Sequence, residues 1–161
     1  MLSPLQLKHH AIQSVSIEEN EKCDDQFGKL WIPEEPNVNV GIAFQANDPY
    51  TSRIILTING IYEEDFAWKF SIKLTGYFEF TDKTTDTIKA QKLSAVNGST
   101  MLYGIARDIL YGLTTRGQKP TINLPSMNFM EVADRINEAN TKKIEPKQKA
   151  KSTLRTRKKP E

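Results

Sequence analysis

The stretch FAWKFSIKLTGYFEF, Phe66 to Phe80, decides the fold. Phe66, Trp68, Phe70, Ile72, Leu74, Gly76, Phe78 and Phe80 all fall on even positions, and Ala67, Lys69, Ser71, Lys73, Thr75, Tyr77 and Glu79 on odd ones. Successive side chains of a strand point to opposite faces, so this period of two describes a long strand with one face on a core and one in water. Antiparallel sheets allow that asymmetry, whereas parallel sheets are buried on both faces.

Upstream, the same reading finds three more strands. From Leu5 to Ile17 the odd positions are Leu5, Leu7, His9, Ala11, Gln13, Val15 and Ile17, the expected inward face of an opening strand. Val38, Val40, Ile42 and Phe44 mark a second run, Asn47-Asp48-Pro49 a turn, and Tyr50, Ser52, Ile54, Leu56 and Ile58 a third. Tyr62 to Asp65 is polar and short enough for a hairpin connection to the deciding strand. Between the first two runs, Pro33 and Pro36 hold the Leu30-Trp31-Ile32 segment extended and forbid regular structure.

Downstream the period becomes helical. After a polar stretch from Thr81 to Asn97, Ser99 or Thr100 caps a predicted helix that Gly117 and Pro120 stop. Its apolar stripe is Met101, Leu102, Ile105, Ala106, Ile109, Leu110 and Leu113, with Tyr103 and Tyr111 outside it, so contacts on more than one side are expected. A loop with Ile122 and Leu124 between Pro120 and Pro125 leads to a second predicted helix that starts at Asn128, with Glu131 three residues on. Phe129, Val132, Ala133, Ile136 and Ala139 form its apolar face. The fold class expected is therefore α+β, a four-stranded antiparallel sheet with two C-terminal helices.

The chain has 161 residues, a length that fits one domain. Its 22 Lys and Arg against 20 Asp and Glu give a formal charge of +2, which hides a partition. Residues 141–161 hold nine Lys and Arg against Glu145 and Glu161, a net +7; the remaining 13 basic and 18 acidic residues give residues 1–140 a net −5. The expected organisation is a domain over 1–140 and a basic tail over 141–161, too poor in apolar residues to offset the cost of ordering its backbone. No apolar stretch approaches the roughly 18 residues that span a bilayer, and Met1 to Gln13 lacks the pattern of a signal peptide, so a cytoplasmic location is expected. The single Cys23 excludes an internal disulfide framework.

The residues for catalysis are missing. His9 and His10 are adjacent in a strand, point to opposite faces and cannot chelate a metal together. Cys23 has no histidine near it in sequence, and no phosphate-binding loop or dinucleotide fingerprint occurs. No enzyme and no cofactor are expected. Apolar residues are instead placed in proline-bearing loops: Trp31, Ile32, Ile122, Leu124 and Met127. They either complete the core or line a groove that takes extended peptide, with sequence-tolerant affinity because burial is non-directional.

In their order these elements resemble the SecB family of protein-export chaperones, from Leu5 to about Ile136. The likeness is clearest in Ala106-Arg107-Asp108-Ile109-Leu110, Thr115-Arg116-Gly117, Pro120 to Leu124 and Asn128-Phe129, and Trp31-Ile32-Pro33-Glu34 is similar to the family's tryptophan-bearing crossover. The resemblance implies a homotetramer, a dimer of dimers, that holds unfolded polypeptides without nucleotide or other cofactor. It implies a client groove of Trp31, Val38, Val40, Ile42, Ile122, Leu124 and Met127, and a tetramer helix presenting Met101, Ile105, Ile109 and Leu113. Export members dock the motor SecA on an acidic outer sheet surface. The matching positions here are Ser14, Glu18, Lys69 and Ser71, of which Glu18 alone keeps the charge, so attraction to a basic partner is expected to weaken.

Three functions follow from these features. One is an ATP-independent holdase for export precursors; another is a SecB-like chaperone of a toxin-antitoxin system, bound to an antitoxin. The third is an RNA- or ribosome-associated module acting through the tail, although no aromatic residue follows Phe129 to stack on a base, so sequence-specific recognition is not expected and nucleic acid is not an expected partner.

Overall fold

The computed structural model describes residues 3–21, 30–33, 36–60 and 67–135. It has β1 (Leu5–Glu19), β2 (Leu30–Trp31), β3 (Asn37–Gln45), β4 (Asp48–Asn59), β5 (Trp68–Phe80), α1 (Thr87–Thr114) and β6 (Thr121–Ile122). Residues 130–135 form a further helical turn. The four long strands make one antiparallel sheet in the order β1-β5-β4-β3, as expected. Cys23, the Tyr62 to Asp65 connection, Ile136, Ala139 and the tail lie outside the described residues.

The even-numbered face of β5 is the core. Trp68, Phe70, Ile72, Leu74, Phe78 and Phe80 are buried, and opposite them on β4 stand Ile54, Leu56 and Ile58, all inaccessible. Helix α1 packs on this face. Its buried row runs Ala90, Ser94, Gly98, Leu102, Ala106, Leu110, Thr114, every fourth residue, which keeps one ridge of the helix against the sheet.

Two expectations for α1 are corrected. The helix begins at Thr87, not near Ser99, with the Asp86 side chain accepting from the Lys89 amide. Ser99 is buried within it, and the Thr100 hydroxyl donates to the Val96 carbonyl one turn back. The first half escapes an apolar count because it packs through small residues, which bring the backbone close to the sheet. A Cβ on Gly98 would lie 2.5 Å from Ile54 Cδ1, and one on Gly76 would lie 2.9 Å from Leu102 Cδ2. Tyr103, expected outside the apolar stripe, is buried: its hydroxyl donates to the Pro125 carbonyl at 2.7 Å and its ring meets Phe129 edge-on.

Strand β1 also departs from simple alternation. Register shifts between Leu7 and His9 and between Ile12 and Ser14 leave Lys8 and Gln13 as bulged extra residues. Between the bulges the parity inverts. His10 and Ile12, not His9, Ala11 and Gln13, stand opposite the core-facing Gly76 and Leu74, and the second bulge restores Val15 and Ile17 to that face.

The proline-bearing segments are more ordered than expected. Leu30–Trp31 and Thr121–Ile122 pair in parallel as a separate two-stranded sheet, closed by the Asn123 amide donating to the Trp31 carbonyl. The buried Thr114 hydroxyl donates to the Leu110 carbonyl and accepts from the Ile122 amide, tying the helix end to that ladder. Asn128 accepts from the Met130 amide at the start of the last helical turn. Among the described residues no helix is long and apolar enough to cross a membrane.

Candidate polypeptide-binding surface

Geometry leaves the inner face of the sheet half covered. Four strands spaced about 4.8 Å apart put the outer strand axes roughly 14 Å from each other, whereas a helix with its side chains is about 10 Å across. With α1 lying mainly on β4 and β5, the inner residues of both edge strands stay half-buried. On β3 these are Val38, Val40 and Ile42, opposite Ile58, Leu56 and Ile54. On β1 they are Leu7, Val15 and Ile17, with Ile12 53% exposed.

The crossover adds a second apolar segment. Trp31 is half-buried, its ring edge-on to Phe70 with centroids 6.3 Å apart. Leu30 and Ile32 beside it are exposed, Ile32 at 55%, and Met127 of the facing loop is 38% exposed. Ile122 and Leu124, expected in the same groove, are 0% and 1% exposed. They belong to the core, because pairing with the crossover turns the loop inward, and their side chains line no open surface. The β2–β6 ladder does bring Trp31 and Ile122 together as register partners.

The β1 strip borders a cavity of about 600 Å³ lined by Val15, Ile17, Glu19, Trp68, Leu113, Arg116 and Gly117. No local pattern in the sequence marks it, since it forms where a strand end meets a helix end distant in the chain; the exposed apolar Leu113 is its one local sign. The Trp68 indole N–H donates to the Pro120 carbonyl and its ring packs where Gly117 has no side chain.

Along α1, Met101, Ile105 and Ile109 are half-buried and Leu113 is exposed, so the expected tetramer row is an apolar strip only partly used by this chain. Ser14, Glu18, Lys69 and Ser71 all lie on the outer sheet face, where Glu18 opposes Lys69 and Ser14 opposes Lys73.

Electrostatics concentrates at the start of α1. Asp82 is held below the usual carboxylate range by hydrogen bonds from the Thr84 and Thr85 hydroxyls and the Thr84 amide. Asp48 is lowered chiefly by the Thr51 hydroxyl, and Glu79 by the hydrogen bond and charge of Lys8. Lys83 lies 3.6 Å from Asp48, 3.7 Å from Glu79 and over the Tyr50 ring. Such exposed pairs fix the turn into the helix more than they stabilise the fold. Among the described residues no group of three or more His, Cys, Asp or Glu could hold a metal ion.

No protein-family model matches the chain. It is similar to the solved Mycobacterium tuberculosis SecB-like chaperone, in complex with a peptide from the HigA1 antitoxin, at 16% identity and a TM-score of 0.49, over 77% of this chain and 91% of that one. It is also similar to a protein of unknown function from Streptococcus agalactiae, at 12% identity and a TM-score of 0.45, over 76% of this chain and 97% of that one.

Proposed function

We propose that this protein is a cytoplasmic holdase chaperone that binds unfolded polypeptide on the half-open apolar strips beside α1 and uses no nucleotide. The observation that carries the reading is the helix that covers two strands of four. It leaves Val38, Val40 and Ile42 half-buried at the sheet edge, and the crossover and its neighbouring loop add half-buried Trp31 and exposed Ile32 and Met127, apolar surface that another chain can complete. A fully buried large side chain contributes about 1.5–3 kcal/mol, so a few client side chains seated there give useful affinity without sequence specificity. The sequence resemblance to SecB supports the same reading, and with it a dimer of dimers.

The test is aggregation of a chemically unfolded substrate, followed by light scattering, with the full chain added in stoichiometric amount and no ATP. Suppression is expected, and weaker suppression by Trp31→Ala and Ile42→Asp. Unimpeded aggregation, or equal activity of both variants, would argue against the reading.

A second reading, a chaperone dedicated to a labile antitoxin, is favoured by the outer sheet face. Ser14, Ser71 and Lys69 stand where the resemblance leads one to look for acid, and Lys73 and Arg53 add further positive charge to that face. Holdase activity without SecA binding in a pull-down supports the antitoxin role; SecA binding that Glu18→Lys abolishes supports export.

A further inference from the structure

The outer sheet face carries a chemistry that polypeptide holding does not use. Strand register places Arg53, Lys69, Lys73 and Tyr77 on it, with His9 opposite Tyr77 and Glu18 opposite Lys69. Arg53, Lys69 and Lys73 are exposed, and among the described residues nothing packs over them. Lys8 reaches the same face and is held at 3.0 Å by Glu79, and at that end Lys83 lies between Asp48 and Glu79, so three carboxylates, Glu18, Asp48 and Glu79, are outnumbered by Lys8, Arg53, Lys69, Lys73 and Lys83. At its middle Tyr77 is 42% exposed, and its ring is stacked on His9 with centroids 6.2 Å apart and planes 20° from parallel.

We propose that this face binds single-stranded RNA, with bases stacking on the Tyr77–His9 pair and phosphates running past Arg53, Lys73 and Lys69. An open antiparallel sheet with aromatic rings amid basic side chains suits unstacked bases and a phosphate chain together. Along β5, Lys69 and Lys73 stand about 13 Å apart, roughly two nucleotides of extended backbone. Ser14, Ser16 and Asn59 beside them offer hydrogen-bond partners to ribose hydroxyls. An acidic peptide would use the lysines but would leave the exposed stacked rings without a role. The stacking group absent after Phe129 is thus supplied by the sheet, and the basic residues of 141–161 add affinity without selectivity.

The experiment is fluorescence anisotropy of a labelled oligouridylate with the full chain over a range of salt. Affinity is expected to fall as salt rises. The double variant Arg53→Gln/Lys73→Gln should flatten the log–log salt slope by about 1.4, at about 0.7 per phosphate contact on a single strand. Tyr77→Ala should weaken binding on the order of tenfold with the slope unchanged, and Tyr77→Phe should restore it. Binding untouched by these substitutions would place it elsewhere, in residues 141–161 for example, and overturn the proposal. So would oligodeoxythymidylate bound as tightly, or displacement by polyglutamate at equal charge concentration. Aggregation suppression by each variant, measured in parallel, is expected to match the unmodified chain, which separates failure here from failure of the holdase reading.

Discussion

Leu124 and Met127 sit three residues apart in one loop and have opposite fates. A carboxylate at the inaccessible Leu124 has no partner and no water, so Leu124→Asp is expected to destabilise the fold by roughly 3–5 kcal/mol in a urea titration. Met127→Asp should change stability by less than about 0.5 kcal/mol and, on the proposed holdase reading, weaken suppression of aggregation instead. Tyr103 sets a limit at high pH. Burial pushes its hydroxyl from 10.0 up to about 12, so folding favours the protonated form; its contribution is complete below pH 10.0 and disappears as pH rises to about 12. Tyr103→Phe is expected to lose about 1 kcal/mol near neutral pH with the Pro125 hydrogen bond, and to show a shallower alkaline decline in thermal melts.

Strand β1 carries two extra residues, Lys8 and Gln13, with no register partner on β5. Deleting Gln13 leaves every remaining partner on β5 in place, so it is expected to change stability by less than about 1 kcal/mol. Deleting Ser16, inside a regular run, forces Val15 or Ile17 off the inner face and should cost more than 1 kcal/mol, which paired denaturation curves would resolve. These elements also show what the sequence makes legible. β5 is plain because one of its faces is wholly buried. The bulges of β1 are hinted at, since the odd-numbered face reads apolar at its ends and polar at His9 and Gln13, the part that turns outward. The first turns of α1 are hidden because Ala90, Ser94 and Gly98 earn burial by being small, which a hydropathy pattern scores as loop. The inward turn of Ile122 and Leu124 depends on a ladder with the crossover residues Leu30 and Trp31, far away in the chain, which no local pattern reports.

For the whole molecule, assembly turns on one helix face. If Met101, Ile105, Ile109 and Leu113 meet their counterparts in other copies, Ile109→Asp is expected to lower the mass seen by light scattering while the circular dichroism of the sheet persists. An unchanged mass would assign that row to this chain's own packing. The half-covered sheet has a further consequence in terms of mass action. A ligand that binds only the folded chain adds RT ln(1 + [L]/Kd), about 2.7 kcal/mol at a hundredfold excess over Kd. If client polypeptide completes those strips, as proposed above, the melting temperature should climb with client concentration. The thermal midpoint of this protein then works as a gauge of how many of its edge strands are occupied.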